Sequence, residues 1–119
     1  MSPNAEIDWA LPDTLRELAS LGDRETVAEV LMLFQTDTGA RLGTIREAIT
    51  ANDRPRVRAQ AHSLRGSAAQ MGACALADAC LVLERSAELC AELLPLLTEI
   101  ETRFALVCRT IALEYGSVQ

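Results

Sequence analysis

The chain has 119 residues, half of them apolar, which is enough for one hydrophobic core without metals or crosslinks. A formal charge of −6 excludes a general nucleic-acid binder, because a phosphate backbone demands clustered positive charge, and a membrane-surface role is disfavoured for the same reason. Aromatic residues make up only 3%, so the core must come from Leu, Ala, Ile and Val, a composition suited to closely packed helices.

The segment Met1-Ser2-Pro3-Asn4-Ala5-Glu6 has neither a basic stretch nor a following apolar run, so it does not read as a secretory signal, and no run in the chain approaches membrane-spanning length. A cytoplasmic protein with reduced cysteines is expected. Cys74, Cys80, Cys90 and Cys108 match no standard zinc spacing, and a single histidine is available to assist them, so no metal site is expected.

The first helix is expected over about 11–20, with Leu11, Leu15 and Leu18 at helical spacing and Gly22 as the stop. Asp23 then reads as the N-cap of a long helix over about 23–51, with Glu25 near the positive end of its dipole. Its apolar stripe runs Val27, Val30, Leu31, Phe34, Leu42, Ile45 and Ile49. Gly39 and Gly43 weaken the middle by up to about 1 kcal/mol each relative to alanine, so burial must compensate or the helix bends. Pro55 fits the first turn of a third helix over about 54–71, and Arg54, Arg56 and Arg58 read as its solvated start. A fourth helix over about 73–88 follows Gly72, its face traced by Leu76, Cys80, Leu83 and Ala87 and continued by Cys90. The last, over about 92–115, carries Leu93, Leu97, Ile100, Phe104, Val107 and Ile111, with Pro95 in its first turn. Short connections between long helices imply a single all-α domain, an antiparallel up-down-up-down four-helix bundle with a short additional N-terminal helix.

The third helix carries the chemistry. Val57, Ala61, Leu64, Ala68 and Met71 form one narrow stripe that must face the core. At about 100° per residue, His62 lies roughly 140° from the centre of that stripe, and Gly66 lies opposite it. The only histidine of the chain therefore points outward. Gly66, one turn on in a helix interior, costs about 1 kcal/mol with no bend to justify it. With Ala59 and Ala69 on the same face, it clears the surface around the imidazole, so that a partner can approach. Arg65, three residues after His62, can place a guanidinium beside a phosphoryl group on the ring.

The segment Ala61-His62-Ser63-Leu64-Arg65-Gly66-Ser67-Ala68-Ala69-Gln70-Met71-Gly72-Ala73 resembles the signature of histidine phosphotransfer (HPt) domains. The likeness extends to Cys80-Leu81-Val82-Leu83-Glu84 and to Asp23 and Phe34. It implies that His62 accepts a phosphoryl group from the phosphoaspartate of a response-regulator receiver domain and passes it to another receiver aspartate. The partners implied are receiver domains and a hybrid sensor histidine kinase, with Mg²⁺ on the receiver and no cofactor on this chain. The family usually has lysine where this sequence has Arg65, which keeps the charge and changes the geometry of phosphate stabilisation. Glu84 falls where some members place a glutamine that orients the imidazole. Leu11, Leu15 and Met32 are candidates for the docking surface, although leucine and methionine at helical spacing are more often core.

Imidazole suits this work because its unperturbed pKa near 6.5 leaves much of it neutral and nucleophilic around neutrality. No glycine-rich nucleotide loop is present, so the chain reads as a phosphocarrier and not a kinase. Two other classes stay open. One is a helical interaction module that binds a receiver or an enzyme without taking phosphate; the other is a hydrolase using His62 as general base, which would need a pocket that an exposed helix surface does not offer. A monomer is expected, and the Met1 start is that of a free-standing carrier, although the terminal module of a hybrid kinase would read the same.

Overall fold

The computed structural model describes residues 11–89 and 92–115. The helices among these residues are α1 (Asp13–Ser20), α2 (Arg24–Thr50), α3 (Arg54–Gln70), α4 (Cys74–Ser86) and α5 (Leu94–Tyr115). The expected helix over 11–20 starts later because Pro12 stands at its N-cap position. Cys90, placed by the periodicity on the face of the fourth helix, lies outside the described residues.

Three reversals share one construction. After α1, α2 and α3, the residues Gly22 (φ 90°), Asn52 (φ 55°) and Gly72 (φ 78°) adopt the left-handed conformation that ends a helix. Each donates its N–H to a carbonyl of the last turn, and the next residue donates to the carbonyl before that: Gly22 to Ala19 and Asp23 to Leu18, Asn52 to Ile49 and Asp53 to Ala48, Gly72 to Ala69 and Ala73 to Ala68. At the first two reversals the closing residue also starts the next helix. An Asp23 Oδ1 accepts from the Thr26 N–H at 3.2 Å, and an Asp53 Oδ1 from the Arg56 N–H at 3.3 Å. At those two reversals one aspartate thus finishes a helix and caps another, while at the third Ala73 closes the same three-residue turn without a side-chain cap.

Connections this short force neighbouring helices antiparallel, and pairs along their length bear this out. Arg24 donates to the Glu114 carbonyl and Arg46 pairs with Glu101 at 2.8 Å, while Arg58 pairs with Glu88 and Arg65 with Glu84. α2, α3, α4 and α5 form a closed ring of packed helices, with α1 laid on α2.

Leu31, Ile45, Val57, Leu64, Leu76, Leu83, Leu97, Ile100, Val107 and Ile111 are all buried at the centre, and Phe34 meets Phe104 edge to face at 6.4 Å. Val30, Ile49, Met71 and Phe104 flank this core half-buried. The stripe expected on α2 jumps two turns from Phe34 to Leu42; Thr38 fills that gap, fully buried, with no hydrogen-bond partner for its hydroxyl. Gly39 and Gly43 are exposed within an unbroken helix, so the buried face compensates their cost. Among the described residues, no helix is long and apolar enough to cross a membrane.

Candidate functional site

α3 buries Val57, Ala61, Leu64 and Ala68 completely, and this fixes its rotation. His62 is turned outward, its side chain 63% exposed. Ala59, Gly66 and Ala69 are exposed on the same helix. A Cβ added at Gly66 would meet nothing within 4 Å, so the bundle itself does not require glycine there. The open space lies on the solvent side.

The imidazole is not alone. α4 brings Glu84 against α3, its side chain only 17% exposed, with Oε2 at 3.0 Å from Nδ1 of His62. The other oxygen, Oε1, accepts from Nε of Arg65 at 3.1 Å, and Nη2 of Arg65 stands 3.2 Å from the same Nδ1. A bare Nδ1 lone pair facing a carboxylate at that distance would be repelled, so the proton belongs on Nδ1 and is donated to Glu84. The nucleophilic lone pair is thereby left on Nε2.

Burial alone would raise the Glu84 carboxyl, but the hydrogen bonds from His62 and Arg65, reinforced by their charges, outweigh it and hold the group below the usual 4.5. Beneath the site lies Cys80. Its burial, chiefly, pushes the thiol up to about 12, with Arg65 opposing and Glu84 adding to the shift, so it is no nucleophile. Cys74 is exposed and Cys108 half-buried, and both are free thiols.

A shallow groove of ≈ 460 Å³ runs beside the ring, lined by Pro55, Arg58, Ala59, His62, Ser63 and Glu84. The arginines at the start of α3 are not simply solvated, as the sequence had implied. Arg58 spans to Glu88, just past the end of α4, at 3.0 Å, and Arg54 donates to the Ala87 carbonyl at 3.4 Å. The sequence offered no signal for this, because it depends on which residues at the end of α4 face α3.

The candidate docking residues divide. Leu15 belongs to the core, since α1 turns it onto α2, so it is not available to a partner. Leu11 is half-buried against the same core, and only Met32, 44% exposed, presents an apolar side chain outward, beside the more exposed Leu33. Among the described residues, no group of three or more His, Cys, Asp or Glu side chains is placed to hold a metal ion.

Comparison with known proteins agrees with this geometry. The family model for the Hpt domain matches residues 29–107, a span that contains the whole His62, Arg65 and Glu84 cluster. The fold is similar to the crystal structure of histidine-containing phosphotransfer protein B from Pseudomonas aeruginosa PAO1, with a TM-score of 0.76 and 31% sequence identity, covering 92% of this chain and 96% of that one. No curated protein matches the chain.

Proposed function

Since the chain belongs to the Hpt domain family, we propose that His62 is its phosphoacceptor, taking a phosphoryl group on Nε2 from a receiver phosphoaspartate and handing it to a second receiver aspartate. Hpt domain proteins are phosphocarriers rather than kinases, and the role of this chain is histidine phosphotransfer in a phosphorelay. The observation that supports the assignment to His62 is the 3.0 Å contact between Nδ1 and the Glu84 carboxylate on an exposed ring, which favours the proton on Nδ1 and the lone pair on the outer nitrogen.

The chemistry follows from that tautomer. The Nε2 lone pair attacks phosphorus, the bond to the aspartyl oxygen breaks, and the carboxylate leaves with its electron pair. No proton has to move. The ring becomes cationic with Nδ1 still protonated, and the buried-side carboxylate of Glu84 stabilises that charge. The same protonated ring is a good leaving group when the next aspartate attacks. Phosphoryl transfer through a loose transition state needs mainly positioning and charge neutralisation, so the carrier needs few side chains of its own. Arg65 supplies positive charge beside the ring, and the open surface over Gly66, Ala59 and Ala69 admits the receiver.

The receiver contributes the acidic pocket and its Mg²⁺, while this chain needs no cofactor of its own. A hybrid sensor kinase upstream, a cytoplasmic location and a monomeric state complete the reading. The test is to incubate the protein with phosphorylated receiver domains and look for an acid-labile, base-stable label, with His62→Gln as control. Label on the wild type alone supports the reading. A protein that binds a receiver tightly without ever taking label would instead be an interaction module.

A further inference from the structure

The resting geometry places the Arg65 guanidinium on the Nδ1 side of the ring, where it is bound to Glu84. A phosphoryl group on Nε2 leaves from the opposite edge of the imidazole, so a different cation is needed there. We propose that Arg58 is that second cation: in the phosphorylated protein it exchanges Glu88 for the phosphoryl oxygens on His62. The proposal rests on the phosphotransfer reading above and adds a residue to it.

Three observations support it. Arg58 precedes His62 by four residues, one helical turn, the spacing at which two side chains of a helix meet. The Cα–Cβ bonds of a helix tilt toward its N-terminus, so the imidazole leans over the turn that carries Arg58 and Ala59, while Arg65 reaches it from behind. Second, Arg58 and His62 line the same groove, and Arg58 is the one arginine among the described residues of its lining. Third, its present partner is easily replaced. The Arg58 to Glu88 pair is open to solvent on both sides, 57% and 52% exposed, and such pairs hold weakly. A phosphoryl dianion offers a guanidinium more charge and a planar pair of acceptors. Charge balance also favours the exchange: Glu84 already pairs with Arg65 in the resting site, so Arg58 in the groove adds positive charge at the outer edge.

The experiment phosphorylates the protein with phosphoramidate, a small donor that needs no docking. The nitrogen–phosphorus bond of the reagent breaks, the bond to Nε2 forms, and ammonia leaves. The phosphoryl group is then titrated by ³¹P NMR in the wild type, Arg58→Ala, Arg58→Lys and Glu88→Ala. A guanidinium on the phosphoryl oxygens favours the dianion, so Arg58→Ala should lower the acid dissociation constant of the group by about three- to tenfold. Arg58→Lys should recover most of that change. Glu88→Ala breaks the same ion pair but frees the arginine, so its dissociation constant should equal or exceed that of the wild type. An unchanged titration in Arg58→Ala overturns the proposal, as does an equal decrease in Glu88→Ala, which would make the ion pair and not the arginine responsible. A wild type that takes no label would sink the phosphotransfer reading itself, an outcome distinct from these two.

Discussion

Gly66→Ala should make the protein more stable and a worse partner. A helix-interior glycine costs about 1 kcal/mol relative to alanine, and that gain is realised only if the new methyl group strikes nothing. At Gly66 an added Cβ has no heavy atom within 4 Å, and the residue lies inside α3, so the full gain of roughly 0.5–1 kcal/mol is expected. For a domain of this size that is a rise in Tm of about 2–6 °C, with a higher urea midpoint at unchanged slope. The same methyl group stands one turn from His62, on the surface that the proposed transfer requires a receiver to cover. Crowding a fitted contact by one methyl costs about 1–3 kcal/mol, so transfer from a phosphorylated receiver should slow by about fivefold or more. Labelling by phosphoramidate, which needs no docking, should be unaffected. Gly43→Ala is the control: it too has open space around it, but on α2 it lies on the side where Arg46 reaches α5, away from the Arg41 to Gln60 contact with α3. It should stabilise without slowing transfer. A destabilised Gly66→Ala would refute the packing argument, and a stabilised variant with wild-type transfer would refute the steric one.

Glu84→Ala should slow transfer by about tenfold or more, the cost of one charged hydrogen bond to the reacting ring, and Glu84→Gln, which still accepts from Nδ1, by less; equal rates in all three would remove Glu84 from the mechanism. The Glu84 carboxyl, held below 4.5, contributes stability that is complete above its unfolded value and is lost as pH falls through the lower folded value; carboxyl NMR should find its midpoint below 4.5, and a midpoint above it would contradict the two hydrogen bonds. With its thiol near 12 and its side chain buried, Cys80 should resist alkylation at pH 8 in the folded protein while the exposed Cys74 reacts, as peptide mass mapping would reveal. Thr38→Val removes a buried hydroxyl that has no partner and should be neutral or stabilising by about 1 kcal/mol in urea melts, whereas a loss of stability would mean that the hydroxyl is satisfied in solution.

The fold was legible because each long helix shows an apolar face, interrupted on α2 at Thr38 and plainest on α3: its stripe of small and branched residues predicted the burial of Val57, Ala61, Leu64 and Ala68, and so the outward turn of His62. Periodicity reads what a helix hides from solvent. It is weaker where a buried residue is polar, and Thr38 was missed for that reason. It is weaker again on a short amphipathic helix, where an apolar residue can be core or contact surface, and there Leu15 proved to be core. Pairings between helices lie beyond it, because they depend on the relative heights of two helices set by the three-residue turns. The contacts of Arg58 with Glu88 and of Arg54 with Ala87 are of this kind.

The substitution of arginine for the family's usual lysine at residue 65 finds its physical reason in the site. Glu84 presents two oxygens, one taken by the His62 Nδ1–H and the other by Arg65 Nε. A guanidinium offers Nε toward the carboxylate while its Nη2 stays beside the ring, two donors held apart by one rigid plane. An ammonium carries its donors on a single atom at the end of a flexible stem, with no rigid plane to set one against the carboxylate and another beside the ring. Arginine and glutamate therefore work as a pair. The fork holds the carboxylate in the position from which it fixes the imidazole tautomer, and the carboxylate keeps the guanidinium from wandering into solvent. The consequence is that Arg65 is committed on the inner edge of the ring, and charge for the outer edge must come from elsewhere on α3. Helical spacing leaves Arg58 to supply it.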